Sequence, residues 1–310
     1  MIDVIAGTGM AAERPREGAG AVPPTLLVFL AIISVQIGAA VAKTLFPALG
    51  SSGTVFLRIG FAALALLITG RPRLSGYRRA DYGAAVLFGV AIAVMNTAFY
   101  AAIARIPLGA AVTLEFVGPL GVAIAGSRRR LDTVWAVLAA GGIVLLAPVG
   151  GAVIDPLGAL LALLAGAGWA AYILLNVRVG RAFRGGDGLT LALAVAAVAT
   201  LPLGVAGAGA RLFSPQFLAP GAAVALLSTV IPFSLEHAAL KRLSARVFGV
   251  LMSVEPVVAA LVGFVVLREA LGARGLLALV CVTVATVGSA RTGAPGGRAM
   301  SGEWLVTSDE

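Results

Sequence analysis

The chain has 310 residues, of which 60% are hydrophobic and 12% charged, and its mean hydropathy is +1.02. Soluble domains carry about 25% charged residues, so a soluble enzyme is excluded, as is disorder; the 40 glycines follow no three-residue period, which excludes collagen. The net charge of +9 would suit a nucleic-acid partner, but the basic residues lie singly or in short clusters between long apolar blocks, where a polytopic membrane protein places its anchors.

In chain order, residues 1–23 are Gly/Ala-rich with Arg14, Arg16, Glu13 and Glu17 and no apolar core, and are expected to be a disordered cytoplasmic tail. Ten blocks follow that can each cross a hydrocarbon layer, which takes about 20 apolar residues: 24–43, 53–70, 82–104, 107–126, 132–149, 156–177, 189–209, 219–240, 247–267 and 271–290. Their connections are too short for a soluble domain, and no strand-like alternation persists, so the expected fold is all-α integral membrane rather than a barrel. Residues 291–310 read as a second disordered cytoplasmic tail. Cys281, the single cysteine, can form neither an internal disulfide nor a metal cage and reads as a small core residue.

With the N-terminus inside, the cytoplasmic segments carry Arg14, Arg16, Arg71, Arg73, Arg78, Arg79, Arg128, Arg129, Arg130, Arg178, Arg181, Arg184, Lys241, Arg242, Arg246, Arg291 and Arg298. The outer segments carry only Lys43, Arg105, Arg211, Arg268 and Arg274. That asymmetry follows the positive-inside rule and puts both termini in the cytoplasm. Sliding residues 98–132 by 137 positions aligns Arg105 with Arg242, Pro119 with Pro256, Gly126 with Gly263 and Asp132 with Glu269. Two five-helix repeats are implied, 24–149 and 156–290. An odd helix count inverts the second repeat, the plan of secondary transporters; chance similarity between Ala/Leu/Val helices is the alternative.

Three acidic residues stand inside the apolar blocks: Glu115, Glu236 and Glu255. Carboxylates are expensive there, so they face a cavity or a partner. Glu115 and Glu255 each lie eight residues into a span, about 12 Å deep and near the midplane, which suits them to proton coupling. Pro119 removes the helical donor from the carbonyl of residue 115, and Pro256 lies beside Glu255. Glu236, near the cytoplasmic end of its span and one turn after Pro232, reads as a residue of the inner mouth; the adjacent His237 reads as an interface residue. Lys43 and Arg58 lie near the outer ends of their spans and are candidates for a substrate carboxylate, with snorkelling as the alternative. Gln36, Asn96, Trp169 and Tyr172 are candidate cavity residues that would orient a small zwitterion, the alternatives being interhelical packing for the amides and ordinary aromatic burial for the rings.

Catalytic motifs are missing from the sequence: there is no GxSxG elbow, HExxH pair or phosphate loop, and one histidine and one cysteine leave metals without ligands. No cofactor is expected.

Several stretches resemble a known family. QIGAAVAKTLFPALG (36–50), MNTAFYAAIARIPLGAAVTLEFVGPL (95–120), GAGWAAYILL (166–175), LSTVIPFSLEHAAL (227–240) and VFGVLMSVEPVVAALVGFVVLRE (247–269) are similar to the drug/metabolite transporter superfamily, EamA-type branch, and within it to the bacterial threonine/homoserine exporters. The resemblance covers residues 25–290. It implies a multi-pass protein of the bacterial inner membrane that exports small amino acids in exchange for protons, as a monomer or homodimer. Lys43, Glu115, Glu236 and Glu255 fall within the matching stretches, while His237 stands where relatives are expected to carry an apolar residue. A broader metabolite or drug exporter of the same fold is the runner-up, and a non-transporting membrane scaffold is the alternative from another class.

Overall fold

The computed structural model describes residues 22–70, 72, 75–125, 130–146, 155–184, 186–240, 242–243 and 245–292. Most of both expected tails lies outside the described residues, as do Arg128, Arg129, Lys241 and the side chain of His237. Among the described residues all regular structure is helical: α1 Pro24–Gly70, α2 Arg79–Ile103, α3 Leu108–Glu115, α4 Val117–Ala125, α5 Arg130–Leu146, α6 Pro156–Ala182, α7 Asp187–Ala208, α8 Pro215–Ala225, α9 Ile231–Leu240, α10 Ala245–Met252, α11 Glu255–Leu267 and α12 Ala273–Thr292. A 3₁₀ turn, Gly209–Phe213, links α7 to α8, and a π turn, Leu226–Val230, links α8 to α9. Eight helical stretches have the length and apolarity to cross a membrane, and α5 adds a shorter apolar one, Thr133–Leu145. The expected blocks fall largely on helix within the described residues.

The 47 residues of α1 would extend about 70 Å if straight, more than twice the hydrocarbon thickness. They do not run straight. Gly38 packs against Ser228, and Arg58, twenty residues later, donates to the Ser228 carbonyl at 3.3 Å. On a straight helix those residues would stand about 30 Å apart, so the chain folds back between them. The break is Gly50, whose φ of 66° is non-helical and favours glycine. The fold-back is held at the α7 end, where Arg211 donates to the Ala48 carbonyl at 3.1 Å.

Two other expected blocks are interrupted. The block at 107–126 divides into α3 and α4, and the block at 247–267 into α10 and α11. Slid by 137 positions, α3 coincides with α10 at both ends. The helices pack through small residues, with Gly109 against the backbone of Ala260 and Gly89 against Ala192, the close approach that replaces a water-driven hydrophobic effect between helices in lipid. The outer face is apolar, with Leu87, Leu160, Leu174, Val198, Phe264 and Val265 all exposed, as a lipid-facing surface requires.

Candidate functional site

The interruptions between α3 and α4, α8 and α9, and α10 and α11 border a cavity of about 590 Å³. Gln36 and Arg58 reach it from the two arms of α1, Asn96 from α2, Glu115 and Pro119 from α3 and α4, and Trp169 and Tyr172 from α6. Glu236 enters from α9 and Glu255 from the start of α11. Nine of the twelve residues singled out in the sequence therefore line one space; Lys43, Pro232 and Pro256 do not. The walls are otherwise largely apolar, with Ile59, Ile92, Phe99, Phe116 and Phe248 among them.

The cavity is asymmetric along the helix axes. Its lining includes Leu189 near the start of α7, Glu236 near the end of α9, Phe248 early in α10 and Ser289 near the end of α12, so it reaches the end of the bundle that carries Arg178, Arg184 and Arg242. At the opposite end it stops about a turn short, at Phe99 and Val112. Beyond that point Lys43 forms an ion pair with Glu269 and donates to the Ile106 carbonyl at 3.3 Å. The other Glu269 carboxylate oxygen accepts from the Leu108 backbone N–H at 2.7 Å. This cluster ties the first arm of α1 to the α2–α3 turn and the end of α11, and the cation of Lys43 is committed to it.

Within the cavity, Gln36 Nε2 donates to Glu255 Oε1 at 2.9 Å, leaving Gln36 Oε1 and Glu255 Oε2 buried without a partner among the described residues. Asn96 donates to the Ile92 carbonyl one turn back at 2.9 Å. Arg58 donates to Tyr100 Oη and to the Ser228 carbonyl, each at 3.3 Å, and its guanidinium lies 5.5 Å from the Tyr100 ring centre. Among the described residues it has no carboxylate at ion-pair distance. Phe116 packs edge-on against Trp169, and Phe88 packs against Tyr172, which fixes both α6 aromatics at the cavity wall.

Local sequence explains these placements. Pro119 cannot donate to the carbonyl of Glu115, and that carbonyl instead faces Gly166 of α6. A Cβ on Gly166 would stand 2.7 Å from it, and one on Gly118 would collide with the Gly166 carbonyl. Pro232, just after the π turn, has no N–H to offer the carbonyls of that turn; Ser34 Oγ donates to the Leu227 carbonyl at 2.8 Å and Arg58 to the Ser228 carbonyl. Sequence reasoning missed Ser228, although the rule it applied to Pro119 finds it. It also missed Tyr100, and it used Glu269 only as the repeat match of Asp132; the contacts of both depend on helices distant in sequence.

A cavity deep in a helical membrane bundle, lined among the described residues by one arginine and three carboxylates and reaching one end of the bundle, has the form of a solute-binding site in a membrane carrier. The family model for the EamA-like transporter family matches residues 156–291. The chain is 42% identical over 271 residues to the threonine/homoserine exporter RhtA of Escherichia coli (strain K12) and 41% identical to that of Salmonella typhimurium (strain LT2). Each alignment covers 87% of this chain and 92% of the relative. A crystal structure with 20% sequence identity superposes with a TM-score of 0.52, covering 87% of this chain and 97% of that one, and supports the fold. The chain belongs to the EamA-like transporter family, and its relatives are exporters rather than enzymes.

Proposed function

We propose that the protein exports threonine, homoserine and similar small amino acids across the bacterial inner membrane by alternating access, in exchange for protons. The observation that carries this reading is the cavity itself: it unites an arginine that, among the described residues, has no carboxylate at ion-pair distance with buried carboxylates, the two charges that a zwitterion requires. Its volume of about 590 Å³ accommodates a small amino acid with water. The exporters at 41–42% identity supply the substrate class.

The reading extends to topology. The chain crosses ten times, the first two crossings being the arms of α1, as two inverted repeats, 24–149 and 156–290. The coincidence of α3 with α10 supports this, as does the pairing of contacts: the second arm of α1 with α7, α3 with α11 and α5 with α12. The contact of α2 with α6 is matched by that of the first arm of α1 with the π turn and α9. Both termini are cytoplasmic by the arginine asymmetry, so the open end faces the cytoplasm and the Lys43–Glu269 cluster closes the outer side. Glu236 guides the substrate at the inner mouth, and Glu115 and Glu255 couple transport to protons. Gln36, Arg58, Asn96, Trp169 and Tyr172 shape the substrate space; Lys43 serves the pathway by closing it, and Pro119, Pro232 and Pro256 position the helix breaks.

The test is uptake of labelled threonine and homoserine into inside-out vesicles, with and without an imposed proton gradient. Accumulation that collapses with the gradient is expected. Uptake no greater than in vesicles lacking the protein would overturn the assignment.

A further inference from the structure

The cavity contains two sets of unsatisfied polar groups of opposite kind, and Ser228 connects them. Its residue lines the cavity, and its buried hydroxyl has no hydrogen-bond partner among the described residues. It sits over Gly38, where any side chain would collide with it. Its residue lies in the π turn between α8 and α9, a distortion often found at functional sites, and its carbonyl, in a turn to which Pro232 offers no N–H, accepts from Arg58. One residue thus orients the cavity's arginine through its backbone and offers a hydroxyl donor of its own. Tyr100 holds the other side of the guanidinium, and these contacts leave Arg58 donors available to a ligand, since guanidinium carries five.

The complementary set is acceptor-only. Gln36 lies two residues before Gly38 on the same arm of α1, and its Oε1, together with Glu255 Oε2, is buried and unpartnered among the described residues. Leaving such atoms empty is costly; occupied, they suit an ammonium group, while a guanidinium and a hydroxyl suit a carboxylate.

We propose that Arg58 and the Ser228 hydroxyl form the subsite for the substrate's carboxylate, and that the unpartnered oxygens of Gln36 and Glu255 take its ammonium, so that both ends of a free α-amino acid are read. This rests on the transport reading above and adds to it a division of roles. Pro232 and Tyr100 are positioning residues, since they act through Arg58 and Ser228.

The test measures binding to the purified full-length protein of L-threonine, of its amide, which lacks the carboxylate, and of 3-hydroxybutyrate, which lacks the ammonium. The unaltered protein is expected to prefer threonine over each analogue by tenfold or more. Arg58→Gln should bind threonine and its amide equally weakly, and Ser228→Ala should lower the acid-over-amide preference several-fold. Gly38→Ala, which displaces the same hydroxyl, should reproduce Ser228→Ala and provides a second route should one variant fold poorly. Glu255→Gln should instead erode the preference over 3-hydroxybutyrate. If Arg58→Gln binds threonine and keeps the original acid-over-amide ratio, the subsite is overturned while the transport function stands. If the unaltered protein ignores amino acids but binds another carboxylate through Arg58, the carboxylate subsite stands, and the ammonium subsite and the amino-acid function both fall.

Discussion

The two interrupted helices, α3–α4 and α10–α11, occupy matching positions under a shift of 137 residues, yet their carboxylates sit on opposite sides of the break. Glu115 is the last residue of α3, whereas Glu255 is the first of α11. The position matching Glu115 is Met252, and the position matching Glu255 is Gly118. Gly118 cannot carry a side chain, because its Cβ would collide with the Gly166 carbonyl. The backbone break is common to both segments while the chemistry differs, and close packing on α6 decides which position can hold a carboxylate. Their neighbours differ as well: Glu255 is fixed by the Gln36 amide, while Glu115 lies at a carbonyl pressed against Gly166.

If this contrast governs function, the two glutamates should respond differently to the same change. Glu255→Gln removes a charged acceptor, and such hydrogen bonds are worth about 1.5–3 kcal/mol, so threonine affinity should fall roughly 10–100-fold, measured by titration calorimetry. Glu115→Gln should change affinity far less.

The contrast also predicts which glycines tolerate a methyl group. Gly166→Ala forces a Cβ onto the Glu115 carbonyl and should cost about 1–3 kcal/mol, as overpacking does, seen as a lowered Tm in detergent. Gly249→Ala, in α10 at the cavity wall, meets nothing within 4 Å and should leave Tm within about a degree or raise it, since alanine favours helix by roughly 1 kcal/mol over glycine. Equal losses at both positions would remove the packing argument.

Much of the architecture was legible in the sequence because apolar runs and arginine placement are one-dimensional signals. Intramembrane glutamates and prolines stand out against such a background, so Glu115, Glu236 and Glu255 were found, and the structure brings all three to one cavity. Gln36 and Arg58 were equally visible, but the pairing of Gln36 with Glu255 spans 219 residues and that of Arg58 with Ser228 spans 170, which no local pattern encodes. The charge of Lys43 and its place near the outer end of its span make it a substrate candidate in the sequence, but its pairing with Glu269 spans 226 residues. Ser228 looked ordinary until Pro232 and the π turn gave its carbonyl and hydroxyl separate roles. The sequence places a connection between the first two spans at 44–52, and the structure narrows it to a break at Gly50, with helix on both sides.

The most direct test of the account is proton movement evoked by substrate in proteoliposomes that trap a pH-sensitive dye. The unaltered protein should move protons when threonine is added and should also exchange labelled for unlabelled threonine. Glu115→Gln should retain that exchange while losing threonine-evoked proton movement. If Glu115→Gln moves protons as the unaltered protein does, with the same pH dependence, Glu115 is not required for coupling, and if the unaltered protein moves none, the exchange of amino acid for protons is contradicted.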